Sequence, residues 1–121
     1  MARKRRILIV DDEEAILKIL NIKLRISGYE VITAADGKKG LELARLNKPN
    51  LILLDVIMPK MSGFQVLEKL RNRANLLIIA FSAWPENAQK ALSLGADDFI
   101  SKPFDVDSLV KKINGLLDHK G

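Results

Sequence analysis

Short, uninterrupted apolar runs alternate along this chain with longer stretches whose apolar residues recur every three or four positions. Ile7-Leu8-Ile9-Val10 is the first run, bounded by Arg6 and Asp11. From Glu13 to Ser27, Ile16, Leu20 and Leu24 fall at helical spacing with Ile19 alongside, and Gly28 supplies a stop. Glu30 to Ala34 is a shorter strand candidate. Asp36 can cap a helix reaching about Lys48 through Leu41, Leu43, Ala44 and Leu46, with Pro49 beyond it. Leu51-Ile52-Leu53-Leu54 is a second continuous run. Ser62 and Gln65 fit a capping box for a helix carrying Phe64, Val66, Leu67 and Leu70. Leu76 to Phe81 is the third apolar run, and Pro85 suits the first turn of a helix ending near Gly95. Asp98 to Ser101 is a short strand, and Asp105 can cap a last helix with Leu109, Ile113, Leu116 and Leu117 on one side.

The pattern predicts five strands alternating with five helices. Continuous apolar runs in the first, third and fourth strands require burial on both faces. Alternation with two-sided burial means a parallel sheet covered by helices on each side, a doubly wound α/β domain. In such sheets ligands bind beyond the carboxyl ends of the strands, where the winding reverses. Asp11 and Asp12 follow the first strand, Asp55 the third, Ser82 and Ala83 the fourth, and Lys102 and Pro103 the fifth. With strand order 2-1-3-4-5, the third strand is central and Asp55 lies between the other contributors.

Taken singly, each residue has an ordinary explanation. Acids at a helix start are commonly caps or dipole partners, a strand-end Asp is commonly a turn residue, and Ser82 and Lys102 alone read as a cap and a surface charge. Together they are harder to dismiss. Three carboxylates brought together repel strongly at low effective dielectric. The cluster makes sense if a divalent cation neutralises it with a lysine opposite. Oxygen ligands alone point to Mg²⁺ or Mn²⁺, which take few carboxylates and leave room for phosphate oxygens. A carboxylate beside such an ion can attack a phosphoryl group and become an aspartyl phosphate.

Composition narrows the chemistry further. The 121 residues are 48% hydrophobic and 29% charged, enough for one globular core. Cys is absent and His occurs once, which excludes disulfides, thiolate zinc sites, cysteine nucleophiles and His-rich metal clusters. Lys and Arg number 20 against 15 acids, for a net charge of +5. Four of the twenty are Arg3, Lys4, Arg5 and Arg6. Removing them leaves sixteen against fifteen, so the basic character sits in a solvated lead-in. No basic stripe, reading helix or aromatic platform for nucleic acid is present. No apolar run approaches a membrane span, and no signal-peptide core follows the basic start. A soluble cytoplasmic protein is the expectation. His119, in the polar tail, reads as solvated.

Four segments in order resemble the receiver domain of two-component response regulators, most closely the single-domain receivers of chemotaxis and sporulation. They are Ile9-Val10-Asp11-Asp12-Glu13, Leu54-Asp55-Val56-Ile57-Met58-Pro59-Lys60-Met61-Ser62-Gly63, Phe81-Ser82-Ala83, and Gly95-Ala96-Asp97-Asp98-Phe99-Ile100-Ser101-Lys102-Pro103-Phe104. The resemblance runs over about residues 6–117 and implies a flavodoxin-like fold. It implies that Asp55 is the phosphoacceptor. Asp11 and Asp12 would hold Mg²⁺, directly or through water, with Asp55 and the backbone carbonyl of Ile57. Lys102 would pair with phosphoryl oxygens, Ser82 would hydrogen-bond the phosphoryl group, and Phe99 would be an aromatic switch turning inward as Ser82 moves. The Lys102-Pro103 bond would be cis.

Some positions depart from the family pattern. Ser82 stands where threonine is frequent, keeping the hydroxyl. Phe99 replaces a frequent tyrosine and loses the phenolic hydrogen bond. The turn from Arg71 to Asn75 is short. Ile57 and Trp84 occupy variable positions that tune how water reaches the acyl phosphate. The implied partners are a histidine kinase or phosphotransfer protein and a downstream protein docking on the face of the fourth helix, fifth strand and fifth helix. Such a chain is no enzyme beyond catalysing its own phosphorylation and dephosphorylation. The receiver takes up residues 1–121, which leaves no room for an output domain: either a stand-alone receiver or a fragment of a longer regulator. Two rivals remain at this level. A Mg²⁺-dependent phosphatase or phosphotransferase would usually place a second acid where Ile57 stands, and a phosphorylation-independent interaction module would not need the intact acid, serine and lysine set.

Overall fold

The computed structural model describes residues 4–70, 73 and 75–120, with backbone alone at 119 and 120. Arg3, most of the turn expected over 71–75, and the His119 side chain lie outside the described residues. The strands are β1 (Arg6–Val10), β2 (Glu30–Ala34), β3 (Leu51–Asp55), β4 (Leu77–Ser82) and β5 (Asp98–Ser101). They alternate with helices α1 (Glu14–Ile26), α2 (Gly37–Asn47), α3 (Gly63–Leu70), α4 (Asn87–Ser93) and α5 (Val106–Lys120). All strands are parallel, in the order β2-β1-β3-β4-β5.

Successive residues of a strand face opposite sides of a sheet. Here that rule divides the core in two. Ile7, Ile9, Leu51, Leu53, Ile79 and Phe81 pack with Leu20 and Leu24 of α1 and Leu109, Ile113 and Leu117 of α5. Leu8, Val10, Ile52, Leu54, Ile78 and Ala80 pack on the other side with residues of α2, α3 and α4. Both faces of β1, β3 and β4 are thus covered, as their unbroken apolar runs require.

The expected caps form. The Asp36 carboxylate accepts from Lys39 N at 2.7 Å, and Asp105 accepts from Ser108 N at 3.1 Å. Ser62 N donates to Gln65 Oε1 at 2.9 Å while Gln65 N donates to Ser62 Oγ at 3.3 Å, which closes the capping box. Gly28 follows α1 at φ +100°, and Gly95 follows α4 at φ +113°. Three expectations are corrected. Ile19 and Leu46 are 54% and 71% exposed, outside the core. The fourth helix starts at Asn87 because Pro85 belongs to a preceding turn, where Asn87 N bonds Trp84 O and Ala88 N bonds Pro85 O.

Gly63, at the start of α3, sits against the strand that ends in Asp55. Its N–H donates to Val56 O at 3.0 Å. A Cβ there would lie 2.2 Å from Asp55 O and 2.5 Å from Val56 Cα, both backbone atoms. Gly115, inside α5, meets nothing within 4 Å. The same substitution should therefore act in opposite directions at the two sites. Gly63→Ala is expected to destabilise by at least about 1–3 kcal/mol, as overpacking does. Gly115→Ala is expected to stabilise by up to about 1 kcal/mol through helix propensity. Urea denaturation of the two variants checks this, and a neutral Gly63→Ala would mean that α3 can move off the strand at little cost.

Candidate functional site

The alternation that builds the two cores also assembles the site. Asp11 continues the Ile7, Ile9 series beyond β1, and Asp55 continues the Leu51, Leu53 series at the end of β3. Both carboxylates therefore fall on the α1–α5 side, at the carboxyl edge of adjacent strands. Asp11 is 0% and Asp55 4% exposed, and one oxygen from each of Asp11, Asp12 and Asp55 lies within 4.8 Å of the others. Asp12 is exposed.

Lys102, just after β5, reaches over the Phe81 ring, with Nζ 5.0 Å from the ring centroid. The ammonium donates to Asp11 Oδ2 at 3.1 Å, Glu13 Oε1 at 3.2 Å and Asp55 Oδ2 at 3.4 Å. The remaining carboxylate oxygens meet backbone donors: Glu13 N to Asp11 Oδ1 at 2.8 Å and Ile57 N to Asp55 Oδ1 at 3.2 Å. Burial pushes the Asp55 carboxyl up to about 6, and the charge of Asp11 adds to this, against the lowering effect of Lys102 and the Ile57 N–H. Burial likewise raises Asp11. For Lys102 burial works downward, but its bonds to Asp11 and Glu13 and the charges of Asp11 and Asp55 outweigh it, so the ammonium is held more firmly than usual. The set is a buried acid pair neutralised in part by one cation, and the side chains grouped closely enough to hold a metal ion, Asp11, Asp12 and Asp55, offer carboxylate oxygens. Such a donor set fits a hard divalent cation.

Ser82 is buried at the end of β4, and its backbone carbonyl accepts from Lys102 N at 2.8 Å. Its hydroxyl is turned to the β4–α4 turn: Oγ accepts from Trp84 N and from Asn87 Nδ2, each at 3.0 Å. Among the described residues no hydrogen bond joins it to Asp55 or Lys102. Phe99 pairs with Ala80 across β4–β5 and packs, partly buried, on the core side of α2, α3 and α4. Ile57 and Trp84 are 50% and 59% exposed, so Trp84 is not packed away on a helix. The Lys102-Pro103 bond is cis.

Sequence reasoning missed two participants. From the sequence Glu13 has a place at the start of the first helix but no role in the site, yet it is one of the three carboxylates on Lys102. Asn87 carries no expectation from the sequence, yet its amide donates to the Ser82 hydroxyl. A long acid placed just after two strand-end aspartates was a usable signal for the first. Nothing local marked the second, because its partner is a side chain across a turn.

The shift of Asp55 has a definite consequence for stability. Its folded value, about 6, lies above the ordinary 3.8. The proton is bound more tightly in the folded chain, so this group's contribution is fully present below 3.8 and is lost as pH rises through about 6. In chelator-treated protein, Asp55→Asn is expected to melt higher than wild type at about pH 8, by at most about 3 kcal/mol for a shift of about two units. The gap should narrow as pH falls below about 6, to about half by pH 5, and close only below 3.8. A gap that stays constant across this range in thermal melts would show that Asp55 is not so shifted.

A family model described as the response regulator receiver domain matches residues 7–114. The probable transcriptional regulator ycf27 of Cyanophora paradoxa is 45% identical over 116 residues, covering 94% of this chain and 48% of that protein. The alkaline phosphatase synthesis transcriptional regulatory protein PhoP of Bacillus subtilis is 44% identical over 115 residues, covering 90% of this chain and 48% of its own length. The chain thus spans about half the length of these relatives. Among solved structures, a CheY-like receiver domain protein from Methanospirillum hungatei superposes with a TM-score of 0.91 at 38% identity, covering 97% of this chain and 96% of that one. The response regulator TrrA of Thermotoga maritima, in complex with Mg(2+)-BeF, gives 0.84 at 34% identity, covering 93% and 98%. A strand order of 2-1-3-4-5, acids and a lysine meeting at its carboxyl edge, and a match running from β1 into α5 agree: the chain belongs to the response regulator receiver domain family.

Proposed function

We propose that the chain is a phosphorylation switch of a two-component pathway, with Asp55 as the phosphoacceptor. The observation that carries this reading is the position of Asp55, buried at the end of the central strand with Lys102 Nζ at 3.4 Å and the carboxylates of Asp11 and Asp12 beside it. Although burial raises its carboxyl to about 6, the Lys102 ammonium and the Ile57 N–H favour the ionised form that acts as a nucleophile. One carboxylate oxygen attacks phosphorus of a phosphohistidine on a kinase or phosphotransfer protein. The P–N bond breaks, its electron pair returns to the imidazole, and Asp55 becomes an acyl phosphate. Lys102 offers N–H groups to the transferring oxygens, where charge collects. Asp11, Asp12, Asp55 and the backbone carbonyl of Ile57 would hold Mg²⁺, or Mn²⁺ in its place. When bound, the ion supplies charge neutralisation for the carboxylates and the phosphoryl oxygens.

After transfer, the added charge of roughly −1.5 to −2 draws donors inward. The Ser82 hydroxyl turns toward it, giving up Trp84 N and the Asn87 amide, and Phe99 follows it on β5. The face of α4, β5 and α5 then changes for a downstream protein partner. The chain itself catalyses only its own phosphorylation and dephosphorylation. The phosphodonor approaches from the side of α1, where the exposed Ile19 lines a groove of about 440 Å³ with Ile16, Lys102 and Phe104.

Two measurements test the reading. Acetyl phosphate with Mg²⁺ is expected to label the wild type, with labelling lost in Asp55→Asn and in chelator. Labelling of Asp55→Asn at the wild-type stoichiometry would mean that another nucleophile acts. Mg²⁺ at about a hundred times its dissociation constant should add about 2.7 kcal/mol to wild-type stability. Asp11→Asn should lose most of that gain.

Exposed apolar side chains at Ile57 and Trp84 flank the acid pair and can limit the access of water to the acyl phosphate. Trp84→Ala and Ile57→Asn are therefore each expected to speed loss of phosphate severalfold, followed as decay of the labelled protein. Decay at the wild-type rate in both would remove these residues from any shielding role.

A further inference from the structure

We propose that Glu13 is a positioning residue for Lys102, holding the ammonium in the unphosphorylated chain and releasing it when a phosphoryl oxygen arrives. The inference rests on the reading of Asp55 as phosphoacceptor. A lysine ammonium has three N–H donors and no more. In this structure the Nζ of Lys102 has three carboxylate partners, Asp11, Glu13 and Asp55, at 3.1, 3.2 and 3.4 Å. Every donor is engaged, so a phosphoryl oxygen can gain one only by displacing a partner.

The three partners are not equally able to leave. Asp11 is fully buried, and its other oxygen is already committed to Glu13 N. At 0% exposure no water can take the place of Lys102 on that oxygen, so losing it costs more there than at a solvated carboxylate, with or without a bound cation. Asp55 carries the incoming group and stays in place. The Glu13 side chain is 61% exposed, and water can replace Lys102 around its carboxylate at little cost. Glu13 also has no competing duty: it stands at the residue before α1, yet its side chain makes no capping bond to that helix. Its one side-chain hydrogen bond among the described residues is to Lys102. Glu13 is therefore an internal competitor for the cation that the phosphoryl group needs.

The competition sets how strongly the site holds a phosphoryl group, and a phosphoryl analogue reads it without hydrolysis. Beryllofluoride is titrated into the full chain at saturating Mg²⁺, with Trp84, the single tryptophan, as reporter. Its backbone N–H is bonded to the Ser82 hydroxyl, so a turn of Ser82 is felt there. Glu13→Gln is expected to bind the analogue about two- to fivefold tighter, the span of exposed ion-pair energies. The gain should shrink in salt of about 1 M. Glu13→Ala, which leaves no oxygen to accept from Lys102, should do the same. Glu14→Gln makes the same change of charge one residue along, with no contact to Lys102, and should match wild type. Mg²⁺ affinity without beryllofluoride should not rise in any variant.

Wild-type affinity in both Glu13 variants, weaker binding in either, or an equal gain in Glu14→Gln would overturn the proposal. If Asp55 is still labelled by acetyl phosphate in that case, only the role of Glu13 falls. If wild type neither binds beryllofluoride nor is labelled, the phosphoacceptor reading falls and this inference with it.

Discussion

The arrangement of this domain's carboxyl edge depends on one ammonium group. Asp11 and Asp55 are buried side by side at the ends of adjacent strands, where their repulsion and their lost hydration both oppose folding. Lys102 Nζ lies within 3.4 Å of both. The compensation is incomplete, since both acids remain above the ordinary carboxylate range. A site left with surplus negative charge and oxygen donors is suited to a second cation. The same surplus makes Asp55 costly to the apo fold, a sign that the position is kept for chemistry rather than stability.

Much of this could be read from the residues. The strand ends put Asp11, Asp55, Ser82 and Lys102 at one edge of the sheet, and the ranges of β2 and β5 follow from local pattern alone. The misreadings have angular causes. At about 100° per residue, Ile19 stands about 100° from Leu20 and about 140° from Leu24, so it falls off the buried stripe of α1. In α2 the packed face contains Gly37 and Gly40, with a Cβ at Gly40 only 2.8 Å from Val10 Cγ2. A count of apolar residues does not see glycines, and it placed Leu46 inside when it lies about opposite Gly37.

The side-chain bonds of the site were less legible for a different reason. Strand ends fix where Asp11, Asp55, Ser82 and Lys102 emerge, because backbone pairing fixes them. Which long or rotatable side chain then reaches which partner is decided across loops. Glu13 spans 89 residues of sequence to meet Lys102, and Asn87 meets Ser82 across a turn. Neither partnership leaves a periodic trace.

These two contacts bear on how a switch built on this frame would be balanced. Moving a two-state element from 1:99 to 99:1 takes about 5.5 kcal/mol of differential stabilisation. A phosphoryl group forming several charge-assisted bonds can supply energy of that order in gross terms. The net figure is smaller, because the resting arrangement already holds the same two side chains in other bonds. Ser82 Oγ accepts from Trp84 N and Asn87 Nδ2, and Lys102 has all three N–H groups on carboxylates. Turning Ser82 away would leave the half-buried Asn87 amide at the start of α4 to find another partner, and drawing Lys102 inward would send Glu13 to water. The resting arrangement is thus held by bonds that a phosphorylated state would have to replace. Its set point would then depend on residues such as Glu13 and Asn87, which reach Asp55 only through Lys102 and Ser82.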